Sequence, residues 1–187
     1  MAILSKYLQR ARLAKIAPYL KGDILDLGCA NARVLRDYGS RISHYCGIER
    51  SPRKVKQLNK EFPNACFHQC DLDVDSLILD RQYDCILMIA LIEHLFNQKH
   101  VMTEVKRALK PEGVVVITTP TVLGNDIVLR LGASLGLFAK SAVDNHIVLY
   151  NRHRFIILAK KIGLELRQHR TFQLFCNQLA VLGIQRK

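Results

Sequence analysis

Ile24-Leu25-Asp26-Leu27-Gly28-Cys29-Ala30-Asn31-Ala32-Arg33-Val34-Leu35 is a buried strand that runs through a small-residue turn into a helix. Ile24 to Leu27 is apolar except for one acid, as expected of a strand covered on both faces. Gly28 admits backbone angles closed to other residues. Ala30 and Ala32 carry minimal side chains, so the turn can lie against a ligand without steric obstruction. Farther on, Gly47-Ile48-Glu49 ends a second strand with an acid, a position from which a carboxylate holds both hydroxyls of a ribose. The two features together point to a nucleotide-type binding turn at the edge of a parallel sheet.

Working outward, apolar runs bounded by turn residues alternate with helical stretches, the pattern of a parallel α/β sheet. The reading places strands at Asp23 to Leu27, His44 to Glu49, Ala65 to Cys70 (ending at Asp71), Tyr83 to Ala90 and Val114 to Thr119. Ser51-Pro52 supplies an N-cap and a first-turn proline for a helix to about Lys60. A helix from about Gln98 stops at Lys110-Pro111-Glu112-Gly113, where proline and glycine end it. Beyond Pro120, the apolar segment Thr121 to Asn145, with Gly124, Gly132 and Gly136, reads as a lid or insertion. A basic helix from Arg152 to about Ile162 follows, and Leu164 to Arg170 with Gln173 to Ile184 reads as an antiparallel strand pair that closes the sheet. With no repeat and no Pro/Gly/Ser-rich linker, residues 1–187 read as one domain.

A hydrophobic content of 49% argues against disorder. The basic first 21 residues, a helix with Lys6, Arg10, Arg12 and Lys15, lack the apolar core and cleavage site of a secretory signal. Val122 to Ala139 is interrupted by Asn125, Asp126 and Arg130, which disfavours a membrane span. A cytoplasmic protein, at most peripheral to a membrane, is expected. The six cysteines (Cys29, Cys46, Cys66, Cys70, Cys85 and Cys176) include no C-x-x-C pair, and most sit in strand-like runs where a free thiol behaves as a small hydrophobe. Cys66-Phe67-His68-Gln69-Cys70 lacks a second ligand pair at zinc spacing. It reads as a strand with Cys66, His68 and Cys70 on one face. Lysine and arginine number 28 against 16 acids, a formal net charge of +12 that attracts RNA, an anionic surface or another polyanion. No interleaved aromatic pattern accompanies it, which argues against a single-strand stacking platform.

A dinucleotide fingerprint requires glycines where this chain has Ala30 and Arg33, and bulky Arg33 obstructs close helix–strand packing. Asp26-x-Gly28 before Ala30 and Ala32, then Glu49, then Asp71, resembles instead the class I S-adenosylmethionine-dependent methyltransferases. The resemblance continues through Tyr83-Asp84 to Ile92-Glu93-His94, Glu104 to Gly113 and Thr118-Thr119-Pro120, and so spans nearly the whole chain. It implies a Rossmann-like seven-stranded, mostly parallel α/β sheet with helices on both faces and an antiparallel C-terminal strand pair. It also implies S-adenosylmethionine as cofactor, with Gly28, Cys29 and Ala30 near the methionyl part and Asp26 ordering the turn. Glu49, with Arg50 beside it, would take the ribose hydroxyls. Asp71 and Leu72 would meet the adenine, and Ile89 and Ala90 would line the cofactor where the fourth strand ends. The chain departs from the family's D-x-G-x-G-x-G at Ala30 and Ala32.

Methyl transfer is an in-line displacement, so the protein mainly aligns donor and acceptor and excludes water. An oxygen or nitrogen acceptor also calls for a base, and Glu93, His94 and His146 are the candidates. Their arrangement resembles quinone-pathway and small-RNA O-methyltransferases, in which an E-x-x-E-H run and a later histidine hold a metal ion. Ala90 replaces the first acid here, so no metal site is expected. The apolar segment favours a small-molecule or lipid-like acceptor. The charge favours RNA or another polyanion, and Ala30 and Ala32 favour a non-catalytic binding module. No N-P-P-Y-like motif follows the fourth strand, which argues against nucleobase or amide N-methylation.

Overall fold

The computed structural model describes residues 3–122, 124 and 148–185, with the backbone alone for 3–8. Seven strands form one sheet in the order β3-β2-β1-β4-β5-β7-β6. In chain order the elements are α1 (Ile3–Ile16), β1 (Gly22–Leu27), α2 (Arg33–Tyr38), β2 (Ile42–Glu49), α3 (Pro52–Glu61), β3 (Cys66–Gln69) and β4 (Tyr83–Ile89). They continue with α4 (Gln98–Ala108), β5 (Leu109–Pro120), α5 (Arg152–Lys161), β6 (Leu164–Phe172) and β7 (Asn177–Ile184). Strands β1 to β5 pair in parallel, and β7 runs antiparallel between β5 and β6. This is the expected architecture, including the antiparallel tail.

Alternation along the strands feeds two separate cores. Leu25, Leu27, Ile86, Met88, Val115, Ile117, Ala180 and Leu182 face α4 and α5, which contribute Val101, Met102, Val105, Phe155 and Ala159. Ile24, Cys85, Leu87, Val116, Leu179 and Val181 face α1, α2 and α3, which contribute Leu13, Ile16, Val34 and Leu58. The continuous apolar run of β4 is therefore buried on both sides, as both faces of a parallel sheet must be. Ser51 accepts a hydrogen bond from the Lys54 amide at the start of α3, with Pro52 in the first turn. Asn97 and Asn151 cap α4 and α5 in the same way.

Three expectations are corrected. Lys110-Pro111-Glu112-Gly113 does not separate helix from strand: α4 ends at Ala108 and β5 begins at Leu109, which pairs with Tyr83. The next pair is Cys85 with Val114, so exposed Pro111 and Glu112 bulge out of a ladder that continues on either side. The second strand of the tail begins at Asn177, not Gln173, because Gln173, Leu174 and Phe175 all have positive φ (54°, 51° and 65°) and turn the chain. The cysteines are not all free, since Cys46 and Cys66, register partners on β2 and β3, are joined as a disulfide. Parallel pairing brought together two residues that no local spacing connects. Cys66 and Cys70 do share one face, against the core under α4, while Phe67 lies in the other core. No helix among the described residues is long and apolar enough to cross a membrane. Of the proposed lid, Thr121, Val122 and Gly124 are described; the rest, with Gly132 and Gly136, lies outside the described residues.

Candidate functional site

The register sets one row of residues along the carboxyl ends of the parallel strands. Leu27 pairs with Ile48 and with Met88, and Glu49 pairs with Gln69. Gly28, Glu49, Asp71 and Ala90 therefore follow neighbouring strands at about 4.8 Å spacing, at the end of the sheet where open α/β folds take ligands.

The β1–α2 turn is held by backbone bonds, with the Cys29 amide donating to Ile48 O (2.9 Å) and the Ala32 amide to Cys29 O (2.8 Å). Gly28, Ala30 and Ala32 all occupy the left-handed region, at φ 67°, 50° and 51°. The alanines thus keep the conformation that glycine adopts without strain. A Cβ on Gly28 would lie 3.0 Å from Leu91 Cδ1, so the turn also packs tightly on the chain leaving β4. Ala90, at that exit, is left-handed too (φ 50°), and its amide donates to Thr118 O (2.8 Å).

Asp26 lies beneath this turn. Its carboxylate is buried and accepts a 2.6 Å hydrogen bond from the Tyr45 hydroxyl. Burial pushes the Asp26 carboxyl up to about 7, with the Tyr45 bond opposing, and pushes the Tyr45 phenol up as well. Asp26 is thus tied to β2 through Tyr45. Cys29 is also turned inward: its thiol lies in the α1–α3 core over Gly47, where a Cβ would come within 2.7 Å of the sulfur. Burial raises its pKa.

Glu49 is buried at the end of β2. Its Oε1 accepts from the Ser51 amide (3.0 Å) and lies 3.7 Å from Lys54 Nζ. Oε2 has no hydrogen-bond partner among the described residues. Asp71 is partly exposed and accepts from the Asp73 amide through Oδ1 (3.2 Å); exposed Arg50 comes only to 4.0 Å of Oδ2. Leu72 is buried beside it, and Ile89 is half-buried at the end of β4. A small-residue turn with its Cys29 thiol directed inward, a fixed strand-end carboxylate and a second acid one strand farther could hold the methionyl, ribose and adenine groups of S-adenosylmethionine.

A second cluster stands where β4, β5 and β7 meet. Glu93 is fully buried on the short 3-10 turn Ile92–His94, and neither carboxylate oxygen has a well-formed hydrogen bond. Burial raises its pKa, while its own backbone amide, His94, Arg12 and Thr119 favour the charged form. Thr118 and Thr119 are buried at the end of β5, and neither hydroxyl makes a well-formed hydrogen bond among the described residues. From α1, Arg12 donates to Asn177 Oδ1 through Nε (3.1 Å) and one terminal nitrogen (2.8 Å), which places a cation beside the Glu93 carboxylate. The far wall is tied by Gln178, which donates to Pro120 O (3.0 Å) and Tyr150 O (2.8 Å). His94 is half-buried, with its amide donating to Leu91 O (2.9 Å). His146 lies outside the described residues.

Sequence reading missed Tyr45, Arg12, Thr119 and Asn177 as members of these clusters. Strand alternation offered a signal for Tyr45, which shares a sheet face with Asp26. Arg12 and Asn177 meet across the whole length of the chain and left no local signal.

Residues 4–169 match a family described as a methyltransferase domain. A probable S-adenosylmethionine-dependent methyltransferase of Mycolicibacterium smegmatis is 26% identical over 101 residues, which cover 52% of this chain and 38% of that protein. The match thus spans well under half the length of that curated relative. Among solved structures, a TehB-like SAM-dependent methyltransferase of Corynebacterium glutamicum superposes with a TM-score of 0.66 at 19% identity, covering 97% of each chain. The magnesium protoporphyrin IX methyltransferase of Synechocystis, solved with bound SAH, gives a TM-score of 0.68 at 13% identity, covering 97% of this chain and 84% of that one. At these identities the two likenesses show a shared fold. Matched over most of its length, the chain belongs to the methyltransferase domain family, and its fold is that of the class I S-adenosylmethionine-dependent enzymes.

Proposed function

We propose that this protein transfers a methyl group from S-adenosylmethionine to an oxygen or nitrogen of a small or lipid-like acceptor, with Glu93 and His94 as the acceptor-side groups. The observation that carries this reading is the fully buried Glu93 carboxylate, which has no well-formed hydrogen bond and stands three residues past Ala90 at the end of the cofactor row. A buried acid with no well-formed hydrogen bond is costly in a fold that gains nothing from it, and an acceptor O–H or N–H would supply the missing donor. The cofactor, when bound, supplies a methyl group on a positively charged sulfur. Gly28 and Ala30 leave room for it, Glu49 orients its ribose, and Asp71 and Leu72 meet its base. Burial raises the proton affinity of Glu93 and Arg12 holds it toward the charged form, which together suit a group that takes up the acceptor's proton. His94, next in the chain, is the second candidate for that proton.

Leu174 and Phe175 are 90% and 65% exposed on the β6–β7 turn. That turn is tied to the end of β5 by Thr121, whose amide donates to Cys176 O (3.0 Å) and whose hydroxyl donates to Phe175 O (2.6 Å). An apolar rim beside the acceptor cluster favours an apolar acceptor. The net charge of +12 supports a second reading, in which RNA or another polyanion is methylated.

The test is transfer of labelled methyl from S-adenosylmethionine into fractionated cell extract. Label in the small-molecule or lipid fraction supports the proposal, label in RNA supports the second reading, and label in no fraction overturns both. Glu93→Gln and His94→Ala then identify the base. The residue responsible loses turnover by about a hundredfold or more with cofactor affinity kept, and full activity in both variants removes the assignment.

A further inference from the structure

Cys46, Cys66 and His68 bring two sulfurs and an imidazole nitrogen within 4.8 Å of one another at the β3 edge of the sheet, away from the cofactor row. The grouping follows from register. Cys46 and Cys66 are partners across the parallel β2–β3 ladder, with Cα atoms 4.6 Å apart, and His68 is two residues beyond Cys66 on the same face. Burial is graded: Cys46 is inside, Cys66 is half-buried and His68 is exposed. Beside the two cysteines opens a cleft of about 260 Å³ that Asp80 and Asn64 also line. The Asp80 carboxylate is close enough to His68 to feel its charge.

We propose that Cys46 and Cys66 in their dithiol form, together with His68, bind one thiophilic cation of the Zn²⁺ type. The fourth position would be left to water or Asp80 at the rim of the cleft. Tetrahedral zinc with sulfur at about 2.3 Å and nitrogen at about 2.0 to 2.1 Å requires ligand atoms roughly 3.6 to 3.8 Å apart, a spacing within the limit that already encloses these three. Two thiolates and an imidazole are a soft donor set that selects zinc over magnesium or calcium. Graded burial leaves the metal an entry path past His68. The disulfide must first be cleaved. A phosphine reductant does this with balanced atoms: the S–S bond takes two electrons and two protons, giving two thiols, while the phosphine and one water become phosphine oxide. Binding then releases the two thiol protons as the metal–sulfur bonds form, so affinity rises with pH.

The probe is Co²⁺ followed by Zn²⁺, added to the full chain after phosphine reduction. The expected result is one Co²⁺ per chain, with sulfur-to-cobalt charge-transfer absorption and the visible bands of a tetrahedral site, all displaced by Zn²⁺. Cys66→Ser abolishes the charge-transfer band. His68→Ala keeps sulfur ligation but weakens binding at least tenfold, and being exposed it spares the fold. Circular dichroism and S-adenosylmethionine binding, both measured without metal, confirm that each variant is folded. No charge-transfer band in the reduced, folded protein overturns the proposal, and so does a band unchanged by Cys66→Ser. A pair that stays disulfide-bonded under reduction in the folded protein overturns it as well.

Discussion

Ala30→Gly raises the stability of the cofactor-free protein, and Ala32→Gly does not. Both alanines hold a left-handed backbone, at φ 50° and 51°, which costs a residue with a Cβ about 1 to 2 kcal/mol that glycine does not incur. Against this gain stands the greater freedom of glycine in the unfolded chain, about 0.4 to 1 kcal/mol. Ala30 is exposed, so its methyl contributes little else, and the net effect of Ala30→Gly is a gain of roughly 0.5 to 1 kcal/mol. Ala32 is fully buried in the α1–α3 core, so Ala32→Gly also forfeits the burial of a methyl group, about 0.8 kcal/mol, and the balance falls near zero. For a chain of this size about 1 kcal/mol moves the melting temperature by roughly 2 to 4 °C. Thermal and urea unfolding followed by circular dichroism should therefore show Ala30→Gly melting about 1 to 4 °C higher, with Ala32→Gly at the parent value or slightly below. A lower melting temperature for Ala30→Gly, or a larger gain from Ala32→Gly, refutes the argument that strain at these alanines separates this turn from a glycine-rich one.

Glu49→Ala should weaken S-adenosylmethionine binding by roughly 1 to 3 kcal/mol through loss of charge-assisted bonds to the ribose; calorimetry that finds unchanged affinity removes the ribose assignment. Asp26 has its carboxyl raised to about 7, above the unfolded value of about 3.9, so its contribution to stability is full below about pH 4 and is lost as pH rises through 7. Urea denaturation from pH 4 to 9 should show that decline in the parent protein and a flatter profile in Asp26→Asn. Lys110 Nζ bridges Asp23 (2.9 Å) and Asp84 (2.8 Å) at the opposite end of the sheet and, through its hydrogen bond, holds the Asp23 carboxyl below its ordinary range. Because the lysine is solvated, Lys110→Met should lower stability only slightly in urea denaturation at low salt, a difference that shrinks as salt is raised. Chelator should leave methyl transfer unchanged, since Ala90 withholds one of the carboxylates a catalytic ion would need; activity lost to chelation and restored by magnesium would contradict this.

The row proposed to hold the cofactor was legible as a structural feature, because each of its members is encoded within its own strand and the turn that follows it. Gly28, Glu49 and Asp71 each terminate or follow a strand whose apolar pattern marks where it stops, Asp26 is the last residue but one of β1, and parallel pairing then aligns the ends without further instruction. The same locality misled at Pro111 and Gly113, whose turn chemistry is real but is absorbed as a bulge once Leu109 finds Tyr83. It also misled at the β6–β7 turn, where Gln173, Leu174 and Phe175 take left-handed angles with no glycine to announce them. Register, which no single segment carries, decides that Cys46 meets Cys66, and the packing of α1 on the sheet decides that Arg12 reaches Asn177. The cluster proposed to face the acceptor is assembled in this second way, from α1, the end of β4, the end of β5 and the start of β7. A proposed cofactor cleft built from local signals and a proposed acceptor pocket built from distant ones make different demands on substitution. Arg12 and Asn177 bond to each other, and Arg12 acts on Glu93 rather than on the acids of the row from Gly28 to Asp71, even though apolar residues of α1 pack under Cys29 and Ala32. Arg12→Met should therefore shift acceptor KM or turnover while leaving S-adenosylmethionine affinity as it was, whereas loss of cofactor binding in that variant would show that the two halves are one unit.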